Sequence, residues 1–321
     1  MPENIAKPHI LITGANGFIG KHLSIYLQKN GHMITETCRR CSNNITHKEQ
    51  QCFSIGDIDN TTQWQTALTG IDQVIHLAAR VHIMQETDKN PLAAFRLVNT
   101  EGTLNLAKQA VRAGVKRFIY LSTIKVNGEE TSNTPFFADD QPVPQDPYAI
   151  SKLEAEQKLL ELGLESGLEV VIIRPPLVYG SGVKGNFERL INLMNKSIPL
   201  PFLEIHNTRS LVSIQNLCSF IQTCVVHPKA VNEIFLVSDG QDLSTSELLK
   251  KISHALNKKN TLFYLPKGLL KFLSHILGRN AEYQRLTSSL QLDITKNQQL
   301  LNWQPIESVD DGIAKACLPA L

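Results

Sequence analysis

Residues 9–28 read HILITGANGFIGKHLSIYLQ, and this stretch decides the fold. The apolar run at 9–13 is typical of a buried strand, and the apolar residues after it recur with helical spacing. Three glycines join the two parts. Gly14 permits a tight turn, Gly17 lets the backbone approach a pyrophosphate, and Gly20 allows close packing of helix on sheet. Because the first N–H groups and the dipole of a helix attract anions, we expect a dinucleotide-binding turn.

The glycine spacing differs from the most common pattern of such turns. It is G-x-x-G-x-x-G, whereas the usual fingerprint is G-x-G-x-x-G. A turn with a purely structural role is therefore the alternative. The position between a predicted strand and a predicted helix favours dinucleotide binding.

The alternation of apolar strands and helices continues through the first half of the chain. Further strands are predicted at 33–37, 74–77, 117–122 and 169–174, and helices at 92–112 and from Tyr148 onward. Continuous apolar strands that alternate with helices indicate a parallel sheet covered on both faces. We therefore expect an α/β fold, a Rossmann-type doubly wound parallel sheet that binds its ligand at the carboxyl ends of the strands.

The pattern changes after residue 174. Helices predominate beyond residue 244, although 210–212 and 233–237 still resemble strands. We expect a dinucleotide-binding domain from residues 1–174 with 210–238. Residues 175–209 with 239–321 would form a smaller, mainly helical substrate domain, and the cleft between the two would hold the second ligand.

The segment 267–278 has a helical apolar pattern that fits two environments. It could be an amphipathic helix on a membrane surface, but it has few basic residues, which favours a core or lid helix.

Composition excludes several classes of protein. Hydrophobic residues make up 42% of the 321, charged residues 19%, and the net charge is +2, so no nucleic-acid-binding face is indicated. The first residues lack the regions of a signal peptide, and no apolar run reaches the length of a membrane span. We expect a cytoplasmic protein without membrane insertion.

Six cysteines in a chain of this length do not indicate a disulfide scaffold. Cys38 and Cys41 form a CxxC, with His47 and Cys52 downstream. The spacing of these four residues does not match a regular zinc site, and the chain has no second CxxC to complete one. We therefore expect no metal.

The end of the second predicted strand bears on the choice of cofactor. An acid at this position would hold the adenosine ribose, but Arg39 and Arg40 stand there instead. Guanidinium groups suit a 2′-phosphate, so NADP(H) is favoured over NAD(H), unless the arginines are solvated charges. Asp57 is a candidate to accept a hydrogen bond from the adenine amine, or else a helix cap.

Tyr148 and Lys152 lie four residues apart behind Asp146 and Pro147, which suit the cap and first turn of a helix. The spacing puts the phenol and the ammonium on one face. A neighbouring cation lowers the pKa of a tyrosine from its usual value of about 10. We expect Tyr148 to be an acid/base, although a Tyr/Lys stripe on a surface helix would look the same.

Five motifs occur in a characteristic order: Gly14-x-x-Gly17-x-x-Gly20, His76-Leu77-Ala78-Ala79, Asn99-x-x-Gly102-Thr103, Leu121-Ser122-Thr123 and Tyr148-x-x-x-Lys152. From residue 9 to about 303 the chain resembles the extended short-chain dehydrogenases/reductases, in particular the NAD-dependent epimerase/dehydratase family. The segments 174–180 and 209–212 resemble those that hold the nucleotide-sugar in UDP-sugar 4-epimerases.

The resemblance implies roles for individual residues. Thr123 would hydrogen-bond the reacting sugar oxygen, Tyr148 would be the acid/base, and Lys152 would bind the nicotinamide ribose and lower the pKa of Tyr148. Ser122 would lie beside the cofactor, while Asn186, Arg209 and Arg285 would contact the UDP portion of a UDP-sugar. The remaining cofactor-binding residues would be Gly14, Asn16, Gly17, Phe18, Ile19, Gly20, Ile58, Leu77, Ala78, Ala79, Asn99 and Pro175.

The residues after Thr123 narrow the reaction. Sugar 4,6-dehydratases carry an acidic pair there and UDP-glucuronate decarboxylases a glutamate, whereas this chain has Ile124 and Lys125. Two reactions at the sugar C4 remain, namely reduction of a UDP-4-keto-sugar, which the arginines favour, and 4-epimerisation. A non-catalytic nucleotide-binding scaffold or redox sensor is the alternative of another class. The resemblance also implies a homodimer through the helices at 92–112 and 148–165.

Overall fold

The computed structural model describes residues 7–40, 51–81, 90–259 and 261–318. Its strands are β1 His9–Thr13, β2 Met33–Cys38, β3 Gln51–Ser54, β4 Gln73–His76, β5 Arg117–Leu121, β6 Glu169–Arg174, β7 Leu177–Tyr179, β8 Leu211–Ser213 and β9 Glu233–Leu236. Seven of them form one parallel sheet in the order β3-β2-β1-β4-β5-β6-β9. The strand order reverses between β1 and β4, which is where doubly wound sheets bind ligands. The predicted Rossmann-type fold is confirmed.

The helices connect these strands and cover the sheet. They are α1 Phe18–Lys29, α2 Pro91–Arg96, α3 Thr103–Arg112, α4 Pro147–Ser166, α5 Asn186–Asn195, α6 Ile214–Val226, α7 Thr245–Ala255, α8 Lys267–Ile276, α9 Asn280–Thr287, α10 Thr295–Leu301 and α11 Val309–Cys317. None of the described helices is long and apolar enough to cross a membrane.

Alternate side chains of the strands fill two apolar cores. On one face of the sheet, Ile10, Ile12, Ile75, Ile119 and Ile173 pack with residues of α1 and α6. On the other face, Leu11, Val74, Phe118, Tyr120 and Ile172 pack with residues of α3 and α4. Because the strands are buried on both sides, their sequences are almost continuously apolar.

The helix predicted at 92–112 is present, but it contains a π-helical turn at Leu97–Gly102 between α2 and α3. Such turns are frequent at functional sites. A Cβ atom at Gly102 would lie 2.6 Å from Cγ2 of Ile58, so only glycine lets this turn approach the loop after β3.

The expected division into two domains remains a prediction, and the second half of the chain has contacts on both sides of it. β8 pairs with β7 in a separate two-stranded sheet, yet Val212 of β8 packs into the core beneath the main sheet. Leu301 and Trp303 pack into that same core. The apolar pattern of a segment carries no information about which core the segment joins.

Candidate active site

The glycine turn between β1 and α1 is as tight as its sequence predicts. Gly14 has φ of +69°, and a Cβ atom there would lie 2.9 Å from the Ala78 nitrogen. A Cβ atom at Gly20 would lie 2.4 Å from the Gly14 oxygen. Gly17 precedes α1, and no side chain caps the helix there. Because the first N–H groups of α1 lack a side-chain acceptor, the turn suits a pyrophosphate.

A buried histidine, which the sequence analysis did not assign, holds the loop after β4 against this turn. Thr13 Oγ1 accepts hydrogen bonds from the backbone nitrogens of Leu77 and Ala78, both at 3.2 Å, and lies 2.7 Å from Nδ1 of His76. Because Thr13 Oγ1 accepts from two backbone nitrogens, its own proton is donated to His76 Nδ1. The ring proton of His76 is therefore on Nε2, which donates to Thr103 Oγ1 at 3.0 Å. Burial, helped by the charge of Lys152, lowers the pKa of His76 to about 3, so its imidazole is neutral.

Asn99 is fully buried in the π-helical turn, and its amide is engaged by protein groups. Its Oδ1 accepts from the Arg80 nitrogen at 2.8 Å, and its Nδ2 donates to the Arg80 oxygen and to Ser151 Oγ, both at 3.0 Å. The resemblance implies that Asn99 contacts the cofactor, and this role remains a prediction. In the structure Asn99 ties the loop after β4 to α4.

Ser122 and Thr123 follow β5 at its carboxyl end, where the predicted site lies. The Ser122 Oγ is buried and makes no hydrogen bond within the described part of the chain. Thr123 Oγ1 accepts from the Lys125 nitrogen at 3.3 Å, which starts a short 3₁₀ turn. Pro175, also assigned to the cofactor, is buried and its carbonyl accepts from the Ile124 nitrogen at 3.0 Å.

Tyr148 and Lys152 occupy successive turns of α4, as predicted. Asp146 caps the helix through a 2.7 Å hydrogen bond from the Ala149 nitrogen, and Pro147 fills its first turn. Lys152 is buried, and its Nζ donates to the Leu121 oxygen at 2.8 Å. The helix start and the end of β5 therefore meet.

Within the protein alone, the pKa of Tyr148 shifts in the direction opposite to the one predicted from its neighbour Lys152. Burial, together with the charge of Asp146, raises the pKa of Tyr148. Lys152 Nζ lies 6.0 Å from the centre of the Tyr148 ring but only 4.4 Å from that of Tyr120. Burial also lowers the pKa of Lys152 to about 7, although Glu156 opposes the shift. The charge of Lys152 at this distance does not overcome the burial of the phenol.

Lys125 is held as a cation beside the site. Its Nζ forms ion pairs with Asp146 at 2.7 Å and with Glu129 at 2.9 Å. Burial opposes the charge, but the two carboxylates raise the pKa of Lys125 overall. The residue that replaces the acidic pair of sugar dehydratases is therefore a bound cation, and it cannot take a proton from a sugar.

The residues assigned to the adenosine end contact one another. Arg39 Nε lies 3.3 Å from Asp57 Oδ1, and both side chains are largely exposed. The sequence predicts that Arg39 binds a 2′-phosphate and that Asp57 accepts a hydrogen bond from the adenine amine. A guanidinium already paired with a carboxylate is less suited to bind a phosphate. Arg40 is exposed at the same strand end.

The candidate metal residues are only partly described. Cys38 Sγ lies 3.2 Å from Cys52 Sγ. Cys41 and His47 lie outside the described residues. Among the residues that the structure describes, no group of three or more His, Cys, Asp or Glu side chains could hold a metal ion.

Two of the three residues predicted to contact the UDP portion lie together. Arg209 Nη1 donates to the Arg285 oxygen at 3.1 Å and to the Ser288 oxygen at 3.0 Å. Burial lowers the pKa of Arg209, opposed by the charge of Glu129. Arg285 is exposed on α9, and Asn186 is exposed at the first position of α5.

A cavity of about 730 Å³ opens between α8 and α9 next to these arginines. Its lining includes Glu130, Lys271, Phe272, His275, Tyr283 and Ser288. Ser288 also accepts from Arg209, and Glu130 follows the Lys125–Glu129 ion pair. The cavity therefore adjoins the loop that begins at Thr123.

Comparison with known proteins gives consistent matches over most of the chain. A model described as the NAD dependent epimerase/dehydratase family matches residues 10–238. A UDP-glucose 4-epimerase from Vibrio cholerae is 44% identical over 305 residues, 94% of this chain and 92% of that protein. An N-acetyl-alpha-D-glucosaminyl-diphospho-ditrans,octacis-undecaprenol 4-epimerase from Escherichia coli O157:H7 is 27% identical over 308 residues, 90% of this chain and 88% of that protein.

A solved structure resembles the fold as a whole. The UDP-glucuronic acid 4-epimerase from Bacillus cereus, in complex with NAD, has a TM-score of 0.77 at 23% identity. The match covers 96% of this chain and 97% of that one.

Proposed function

The chain belongs to the NAD-dependent epimerase/dehydratase family, and from this membership we propose that it is a UDP-sugar 4-epimerase. The resemblance predicted from the five motifs is thereby confirmed. The substrate would be a UDP-hexose or a UDP-N-acetylhexosamine, interconverted at C4.

One observation carries the choice of reaction. The UDP-glucose 4-epimerase from Vibrio cholerae is 44% identical to this chain over nearly the full length of both proteins. The sequence alone favours reduction of a 4-keto-sugar, because Arg39 and Arg40 indicate an exchangeable NADPH. The ion pair between Arg39 and Asp57 weakens that argument, so the order of preference is reversed.

We propose NAD as the cofactor, retained through the catalytic cycle. The residues of the site fit this group. The uncapped start of α1 suits its pyrophosphate. Ser122 has a buried hydroxyl without a partner in the described chain, and Lys152 lies beside it at the end of β5. When bound, NAD would supply hydride transfer from and back to the sugar C4.

The protein's own residues would move the proton that accompanies this hydride. Tyr148 takes the proton of the C4 hydroxyl as the sugar is oxidised and returns it after the keto-sugar has presented its other face. Thr123 holds the same oxygen by a hydrogen bond. Because burial raises the pKa of Tyr148, the phenol is protonated until a further positive charge enters the site. The oxidised nicotinamide carries such a charge.

Elimination of water from the sugar needs an acid and a base near C5 and C6. Ile124 is buried and apolar, and Lys125 is held in two ion pairs. Neither can move protons in this way, which supports a reaction confined to C4.

Arg209, Arg285 and Asn186 are the proposed ligands of the substrate diphosphate. Arg209 is half-buried and its position is fixed by Ser288, so it is preorganised to receive an anion. The adjoining cavity of about 730 Å³ would take the uridine.

A polyprenyl diphosphate sugar is a second candidate substrate. The Escherichia coli relative acts on an undecaprenyl diphosphate sugar, as its name states. The apolar side chains exposed on α8, beside the cavity, favour this candidate. The diphosphate and the sugar would occupy the same positions in both cases.

The test is turnover by the purified protein. UDP-N-acetylglucosamine or UDP-glucose is incubated without added cofactor, and the C4 epimer is measured by NMR. Formation of the epimer, abolished by Tyr148→Phe and unaffected by Tyr26→Phe, is the expected result. Consumption of NADPH only with a 4-keto-sugar would instead establish the reductase. Activity that is indifferent to Tyr148→Phe would remove the mechanism and favour a non-catalytic scaffold.

A further inference from the structure

An apolar surface is exposed along α8 and the segment before it. Phe263, Tyr264, Leu269, Phe272, Leu273, Ile276 and Leu277 are between 40% and 68% exposed, and we call these seven side chains the α8 surface. Among the described residues, twenty large apolar side chains are exposed, and seven of them lie within these fifteen positions. Single exposed apolar residues are ordinary, but a contiguous group marks an interaction site.

The orientation of α8 makes this group continuous. Only Leu270 and Ser274 of the helix are buried. Leu269, Phe272, Leu273, Ile276 and Leu277 recur at the spacing of one helical face, and that face points to solvent. An ordinary surface helix turns its apolar stripe toward the core, so α8 presents its stripe the opposite way.

The same part of the chain is strongly basic. Residues 258–285 contain six Lys or Arg and one acidic residue, a net charge of +5, whereas the whole chain carries +2. The basic residues are Lys258, Lys259, Lys267, Lys271, Arg279 and Arg285, and the acidic one is Glu282. The helix alone has few cations, but the segment that frames it has many.

We propose that the α8 surface docks onto an anionic lipid bilayer. Apolar side chains on one face of a helix enter the interface to a depth of about 5–10 Å while the helix lies in its plane. Lys and Arg around them are attracted to anionic headgroups. The occupant is a bilayer rather than a second copy of the chain, because two segments of charge +5 would repel each other.

Docking would orient the enzyme. Lys271, Phe272 and His275 line the cavity between α8 and α9, so this opening would lie at the bilayer surface. The docking itself does not depend on the proposed reaction, and the two can fail separately.

Vesicle sedimentation tests the proposal. The purified protein is mixed with vesicles of phosphatidylcholine that contain about one third phosphatidylglycerol, or with phosphatidylcholine alone. We expect sedimentation with the anionic vesicles only. Ile276→Ser with Leu277→Ser should reduce the bound fraction at least about tenfold, since two apolar anchors are lost. Lys259→Glu with Lys267→Glu should reduce it by a similar factor.

Each variant has a matched control. Val226→Ser with Ile306→Ser changes two apolar side chains of similar exposure, 59% and 61%, outside the α8 surface. Lys29→Glu with Lys229→Glu reverses two other exposed charges. Both controls should sediment like the wild type, and turnover of a water-soluble UDP-sugar should be unchanged in all four variants, which would show that they fold.

Three outcomes would overturn the proposal. They are no sedimentation with anionic vesicles, equal sedimentation with both kinds of vesicle, and a dimer whose dissociation follows from Ile276→Ser with Leu277→Ser. Sedimentation as expected without any turnover would leave the docking intact and refute the proposed function.

Discussion

Lys152 donates a 2.8 Å hydrogen bond to the carbonyl oxygen of Leu121, the last residue of β5. The bond fixes one turn of α4 to the strand end that carries Ser122 and Thr123. The two halves of the candidate active site, one on a helix and one on a strand, are thereby joined through a buried ammonium.

Replacing this ammonium should separate activity from stability. In Lys152→Met we expect turnover to fall about 10²-fold or more, because the residue that we propose to order the cofactor and the phenol is lost. The free energy of unfolding at pH 7 should not fall, since burial of the charge lowers the pKa of Lys152 to about 7 and so opposes folding in the charged form. Lys158→Met, on the exposed face of the same helix, is the control. A large loss of stability in Lys152→Met would contradict this account.

His76 should make the protein sensitive to acid. Its pKa is lowered to about 3 in the folded protein, from 6.5 when unfolded, so the unfolded chain binds the extra proton between these values. Above pH 6.5 His76 does not lower the free energy of unfolding. As the pH falls below 6.5, this free energy decreases by about 1.4 kcal/mol per pH unit. Urea unfolding at pH 6 and pH 5 should show a smaller difference for His76→Gln than for the wild type. His206→Gln, at an exposed position, should retain the wild-type difference.

The buried pair of Arg174 and Glu156 offers a test of the core. Arg174 Nη2 lies 2.5 Å from Glu156 Oε2, and both side chains are at most 2% exposed. Arg174→Met should cost about 3–5 kcal/mol, because it leaves a buried carboxylate without its partner. The double variant Arg174→Met with Glu156→Leu should recover most of this loss in denaturant unfolding. If the double variant is as unstable as the single one, the cost arises from packing and not from the unpaired charge.

The ion pair of Arg39 and Asp57 predicts a shift of cofactor preference. Asp57→Asn removes the carboxylate that holds Arg39 and should raise the affinity for NADP relative to NAD about threefold, a modest factor because both groups are exposed. Fluorescence titration of protein stripped of its cofactor would measure both affinities. Arg39→Ala, combined with Asp57→Asn, should cancel the gain. A wild-type protein that already prefers NADP would show that the pair opens on binding.

The homodimer implied by the resemblance remains a prediction. The four-helix bundle would form from the exposed faces of α2, its π-helical continuation and α4. Leu97, which is 42% exposed, lies on these faces. Leu97→Glu should shift the mass in sedimentation equilibrium toward the monomer, whereas Val226→Glu should not. A wild-type protein that is monomeric would refute the prediction.

The sequence predicted the backbone of the site better than its electrostatics. Glycines that only a tight turn accommodates, and a helix that begins at Asp146 and Pro147, are local signals, and the structure has both. The opposing shift of the Tyr148 pKa depends on burial by residues distant in sequence, and so does the neutral state of His76. The hydrogen bonds of the Asn99 amide, to Arg80 and Ser151, also depend on residues distant in sequence. No spacing rule reports which partner a buried polar group finds.

The placement of Arg209 has a consequence for how the protein is made. Its guanidinium is held by Arg285 and Ser288, and the Leu290 nitrogen donates to the Thr208 oxygen beside it. A chain emerging from the ribosome has all residues of six strands of the main sheet by residue 174, yet the proposed diphosphate contacts must wait for residues synthesised much later. The nascent chain would therefore have the residues of its glycine turn early and those of the proposed diphosphate site last.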